Sequence, residues 1–208
     1  MGWKIVDPPI AEPLTIEECR AHLRVTPFAT DSDGNETHPD DSLIMAMQTA
    51  AREFCEDFTG LSLAVKTYEY RIDAFPEQKE IRLPWAPLVE VLSLVYVGPD
   101  ETLITMAPSA YLADEYQQPG WLLPVSTSDW PKTADVVNAV RVQYRAGYAV
   151  PGDQSDAEVL PGVIRAAMLL VLGHLYEHRT ENTEKALAAL PLGVEALLRP
   201  HRVRLGMA

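Results

Sequence analysis

Residues 160–179 read LPGVIRAAMLLVLGHLYEHR, and the fold turns on how this stretch is interpreted. Pro161 suits a first helical turn, where its missing N–H has no intrahelical partner to lose. Apart from Arg165, no charge follows before Glu177. On a helix, Val163, Ala167, Leu170 and His174 share one face, and Ile164, Met168, Val171, Leu172 and Leu175 cover its flanks. A helix apolar on nearly all sides is buried on nearly all sides. The stretch is therefore expected either at the centre of a domain or with part of its surface meeting another chain. It is too short and too interrupted for a bilayer, which needs ~20 apolar residues.

Working outward, the 208-residue chain suits one domain, or a core with one sizeable insertion. Its 17 Lys and Arg against 30 Asp and Glu give a formal charge of −13. That excess argues against nucleic-acid binding through a basic face and suits either plain solubility or a surface that slides past a polyanion. Cys19 and Cys55 fall in helical patterns without CxxC spacing, as small buried apolar residues of a reducing compartment. The opening MGWKIVDPP lacks a signal-peptide core and no segment reads as a membrane span, so a soluble protein made in the cytoplasm is expected.

Upstream, Pro8, Pro9 and Pro13 predict an extended arm. Thr15 and Glu18 form a capping box for a short helix over LTIEECRAHLRV, with Ile16, Cys19, Ala21, Leu23 and Val25 as its apolar face. Residues 26–40 read as a polar loop. A second helix, capped by Asp40 or Asp41, carries apolar positions from Leu43 to Phe58 and stops at Gly60. From Leu61 to Tyr148 the period changes to two. Five or six short strands are expected there, forming a small antiparallel or barrel-like insertion. AVRVQYRAGY is the clearest, with Val140, Val142 and Tyr144 on one face. An acidic linker over 149–160, the opening helix, a short helix GVEALL stopped by Pro200, and a basic, apolar tail complete the chain. The expected organisation is α+β. Arm and core helices occupy 1–60, a β-rich insertion 61–148, C-terminal core helices 149–198, and a docking tail 199–208.

Candidate chemistry is sparse. His174, Glu177 and His178 match H-x-x-E-H, the inverted zinc-protease spacing, for which Glu181 or Glu184 would supply a further ligand. A zinc hydrolase is thus one alternative, against a helix end where His and Arg meet the negative dipole. The loop around Asp31, Asp33, Asn35 and Glu36 superficially resembles a calcium loop, but Ser42 stands where the twelfth-position glutamate belongs. Trp3, Trp85, Trp121 and Trp130 lie beside Pro, Gly or a chain end. They suit packing at strand ends or subunit contacts, or else a β-domain binding module over 61–148 that takes glycans or a partner. No G-x-S-x-G, phosphate-cradling glycine loop or CxxC pair is present.

Six stretches in order, PLTIEECRAHLRV, DDSLIMAMQTAAREFCEDFTG, IRLPWAPLVEVLSLVYV, VQYRAGY, LPGVIRAAMLLVLGHLYEHR and LPLGVEALLRPHR, resemble the head–tail connector, or adaptor, proteins of long-tailed bacteriophages and gene transfer agents. The resemblance implies a helical core elaborated by the β-rich middle, and a structural protein with no enzymatic activity and no cofactor or metal. It implies a ring of about a dozen copies beneath the portal protein, meeting a tail-side connector or stopper and continuing a channel through which DNA passes without sequence-specific binding. The location implied is the virion neck, after synthesis in the bacterial cytoplasm. On this resemblance Arg199, His201, Arg202, Val203, Arg204 and Leu205 are expected to dock on the portal. Met168, Leu172, Leu175 and Tyr176 are expected at the ring contact, and Asp153, Asp156 and Glu158 along the lumen.

Overall fold

The change of period near residue 61 is a change of layer. The structure, a computed structural model, describes residues 2–34, 36–125, 129–179 and 192–203; its helices gather in one layer and most of its strands in another, an α+β arrangement.

Helix α1 spans Ile16–Leu23 and opens on the expected capping box: Glu18 N–H donates to Thr15 Oγ1 at 3.3 Å and Thr15 N–H to Glu18 Oε2 at 2.8 Å. Ala21, expected on its apolar face, is exposed. Helix α2 spans Asp41–Thr59 and ends at Gly60, whose φ of +72° is left-handed. The capping expectation at its start fails, because Asp40 makes no side-chain cap bond. Asp41 instead accepts His38 N–H at 2.7 Å and two bonds from the Arg20 guanidinium, tying α1 to α2. Helix α3 spans Gly162–Glu177, and Pro161 stands one position outside it as the N-cap residue rather than in its first turn. Helix α4, Leu192–Leu198, runs into a 3₁₀ turn over Arg199–His201 that contains Pro200. The helical core joins Cys19 of α1; Ile44, Ala51 and Cys55 of α2; Ile164, Met168, Val171 and Leu172 of α3; and Val194 and Leu198 of α4. Both thiols are buried there and burial pushes them up to about 12, so neither is a reactive thiolate.

Among the described residues, strands β1 (Gly2–Asp7), β2 (Ala29–Thr30), β3 (Glu36–Thr37), β4 (Lys66–Ile72), β5 (Ile81–Arg82), β6 (Leu88–Val97), β7 (Leu103–Thr105), β8 (Tyr111–Asp114), β9 (Trp121–Pro124) and β10 (Val140–Ala146) form three sheets. The largest is ordered β1-β4-β10-β6-β7, a three-stranded sheet is ordered β5-β9-β8, and β2 pairs with β3. Every pairing is antiparallel. The expected polar loop thus holds a small hairpin, and the extended arm is an edge strand of the main sheet. Among the described residues of 61–148 there are seven strands rather than five or six, the excess coming from pieces as short as β5. The second core packs Tyr68, Val142, Tyr144 and Leu94 of the main sheet with Ile81 and Leu122 of the smaller one. Trp3, Trp85, Tyr68 and Tyr144 form an aromatic ladder, with Trp3 edge-on to Trp85 at 4.9 Å. At the end of β10 the chain needs Gly147: its φ is +133°, and a Cβ would lie 2.2 Å from the Ala64 carbonyl oxygen.

Buried charge joins the layers. Glu56 of α2 accepts from Lys66 of β4 at 2.6 and 2.7 Å, from Arg52 at 2.7 Å and from Leu63 N–H at 2.9 Å. Arg52 also reaches Glu12 of the N-terminal segment at 2.8 Å. Burial draws the Lys66 ammonium below its ordinary pKa, although Glu56 opposes the shift.

Candidate functional site

The elements above position four surfaces on which the sequence-predicted residues fall. At the C-terminal end of α3, Tyr176 is half-buried and its hydroxyl donates to Asp40 Oδ2 at 2.6 Å, with Arg179 at 3.4 Å from the same oxygen. That bond holds the Asp40 carboxyl below its ordinary value and raises the Tyr176 hydroxyl above its own. His174 and His178 lie ring against ring, with centroids 4.3 Å apart, and His178 Nδ1 is 3.0 Å from the His174 carbonyl oxygen. Among the described residues no group of three or more His, Cys, Asp or Glu side chains could hold a metal ion. Glu181 and Glu184 lie outside the described residues. The HxxEH string is thus the last turn of a helix that ties back to the start of α2.

The expected ring contact needs correction. Met168 and Leu172 are fully buried inside this chain and Leu175 nearly so, all three against α2, α4 and the α1 segment; a side chain enclosed by its own chain cannot touch a second one. The apolar surface that α3 leaves to solvent is a different ridge. Val163 is 44% and Leu170 40% exposed, with Ala166 between them and Val159 just ahead of the helix at 83%. The spacing of 159, 163, 166 and 170 is helical and visible in the sequence. What the sequence lacks is a polar stripe to tell the inner face from the outer.

The acidic linker divides as well. Asp153 is turned inward on its own bend: its side chain is 6% exposed and accepts from Ser155 N–H at 2.9 Å and Ser155 Oγ at 2.8 Å. It does not present a free acid, whereas Asp156 and Glu158 are exposed.

The tail divides in the same way. Val203 N–H donates to the Thr59 carbonyl at 2.7 Å, satisfying an orphan acceptor at the end of α2. The Arg202 guanidinium lies 5.6 Å from the centroid of the Phe58 ring. Helix α2 has no basic residue in its own last turn, so Arg202 brings a cation to its negative end. Val203 is therefore engaged by its own chain rather than free to dock. Arg199 and Arg202 are exposed and His201 half-buried; Arg204 and Leu205 lie outside the described residues.

No protein-family model matches the chain, and no curated protein matches it. Solved structures do. A chain of the virion of a native gene transfer agent (GTA) particle superposes with a TM-score of 0.75 at 21% identity, covering 100% of this chain and 98% of that one. Chains of the neck of an empty GTA particle computed with C6 symmetry and of the neck of a native GTA particle computed with C12 symmetry follow at 0.73 and 0.70, with the same identity and coverage. The likeness is one of fold. It runs the whole length of both chains and includes the β-rich middle as well as the helices.

Proposed function

We propose that this chain is a structural component of the neck of a phage-like particle, acting as a head–tail adaptor. Copies form a ring between portal and tail and continue the DNA channel. The observation that carries this reading is the end-to-end fold likeness to chains of a GTA virion and of GTA particle necks. The charge of −13 suits a channel wall that DNA passes without adhering, with Asp156 and Glu158 the exposed acids proposed to line it. The ring contact is assigned to the outward ridge of α3, Val163 and Leu170, with the half-buried Tyr176 at its end. Portal docking is assigned to the exposed Arg199 and Arg202 with His201, and to Arg204 and Leu205 beyond the anchor at Val203.

The test is a reconstruction of the particle vertex from cells producing a tagged chain. The proposal expects the chain as a ring at the neck, and untailed DNA-filled heads when its gene is deleted. Purified particles without the chain, or normal tailed particles after deletion, would refute it.

A further inference from the structure

The sheet face turned away from the Tyr68–Tyr144 core is rich in cations. The register of β4 and β10 sets Arg141 directly opposite Arg71, Gln143 opposite Glu69, and Arg145 opposite Thr67. Strand β1 adds Lys4 opposite Glu69, and β6 adds Glu90 opposite Arg145. Four cations thus share one face with two carboxylates, in a chain with 17 Lys and Arg against 30 Asp and Glu. Three of the four are satisfied within the chain: Lys4 and Arg71 reach Glu69 at 3.1 and 2.7 Å, and Arg145 reaches Glu90 at 2.8 Å. Arg141 is not. Its Nε is buried without a hydrogen-bond partner, and no ion pair reaches its guanidinium among the described residues.

Both features work against stability. Like charges directly opposed across strands repel, and a buried donor left unmatched loses its hydration for nothing. A neutral residue at 141 would avoid both costs.

We infer that Arg141, with Arg71 beside it, docks an acidic surface of a second copy of this chain; this rests on the ring proposed above. Charge decides the occupant. Copies carrying −13 repel one another over most of their surfaces, and a contact that sets a cation-rich face against an acidic one turns that repulsion into attraction. A closed ring also requires two different patches on each subunit, and this face is one of them. Nucleic acid is the weaker occupant, because Glu69 and Glu90 stand among the cations and would face its phosphates.

The experiment uses particles made with full-length wild type, Arg141→Gln, or Arg71→Gln with Arg141→Gln. Copies per particle are counted by mass spectrometry, and each purified chain is melted separately. Incorporation of the double variant is expected to fall at least about tenfold, while Arg141→Gln melts at or above wild type. Particles built from mixed light and heavy isotope-labelled copies are then treated with a carbodiimide, which joins an amine to a carboxylate as an amide. Lys4 is expected to link to a carboxylate of the other isotope. Equal incorporation of variant and wild type overturns the inference and leaves the ring standing. So does a lowered melting temperature of Arg141→Gln, which would make the arginine structural. Links from Lys4 only to a different protein, or salt-sensitive retention of duplex DNA by wild type that the double variant loses, assign the face to another occupant. Wild-type particles that lack the chain remove both the ring and this inference.

Discussion

Helices α2 and α3 lie side by side at the centre of the helical layer and bury different things. Helix α3 buries Ile164, Ala167, Met168, Val171, Leu172 and Leu175, with nothing charged among them. Helix α2 buries Ile44, Ala51 and Cys55 together with Gln48, Arg52, Glu56 and Thr59. The first holds its layer by contact area, which is strong and undirected. The second holds the helical layer to the sheet by directed bonds, because Glu56 binds Lys66 at the start of β4 and Arg52 binds Glu12 ahead of α1. A purely apolar joint would tolerate sliding between the layers, whereas four groups sharing bonds of 2.6–2.8 Å fix one register.

Breaking the directed joint is expected to cost most. Glu56→Leu removes the shared acceptor and leaves Lys66 buried without a counter-charge, a loss of about 3–5 kcal/mol in urea unfolding. Adding Lys66→Met to the same chain should recover most of that loss, because Arg52 keeps Glu12 and no bare charge remains. A Glu56→Leu chain as stable as wild type would mean that the layers are held by area alone. On α3 the comparable break is Met168→Ala, which opens a cavity in a fully buried site and is expected to cost about 2–4 kcal/mol. Here no second substitution of a charged group restores stability, and that separates the two kinds of joint.

The start of α2 offers a pH test of the same contrast. The Arg20 guanidinium bonded to Asp41 holds that carboxyl below its ordinary value, and Arg165 does the same for Glu18. Lowered folded values mean that the unfolded chain takes up protons first. The stabilisation is complete above the ordinary carboxyl range near ~4 and is lost as pH falls through the depressed folded values. Asp41→Asn is expected to cost about 1–2 kcal/mol at neutral pH and far less at acid pH, so its unfolding free energy should fall less steeply below about pH 5 than that of wild type. Equal slopes would show that the pair adds nothing. Substitutions confined to the apolar face of α3 should leave the slope unchanged.

What the sequence made legible follows from the same physics. Short-range signals were plain: the Thr15–Glu18 capping box, Gly60 after α2, the alternation of β4 and β10, and the apolar run of α3. The pairing of β1 with β4 was not legible, because more than fifty residues separate them and an extended arm beside prolines looks the same whether paired or free. Nor was the Glu12–Arg52–Glu56–Lys66 joint, since charges on an amphipathic helix ordinarily mark its solvent face. Alternation does not say which strands pair, and only the register sets Arg141 against Arg71. The site residues fared unevenly for a related reason. Burial on α3 was foreseen, but a helix apolar all round does not say which apolar residues face in, so Met168 and Leu172, which are fully buried, were expected at a surface that Val163 and Leu170 actually occupy.

Leu170 therefore gives the smallest effect and the sharpest discrimination. It lies two residues from Met168 on the same helix and is chemically its near equal, yet it is 40% exposed while Met168 is fully enclosed. Leu170→Gln removes an apolar group that the isolated chain covers only in part, so its unfolding free energy should fall by no more than about 1 kcal/mol. A loss as large as that of Met168→Ala would make the ridge part of the core and leave α3 no surface to offer a neighbour. An unchanged fold with reduced incorporation into particles is the expected pair of results. Only a surface that finds its apolar partner outside the chain produces both, because the exposed part of the side chain contributes nothing until the second surface arrives.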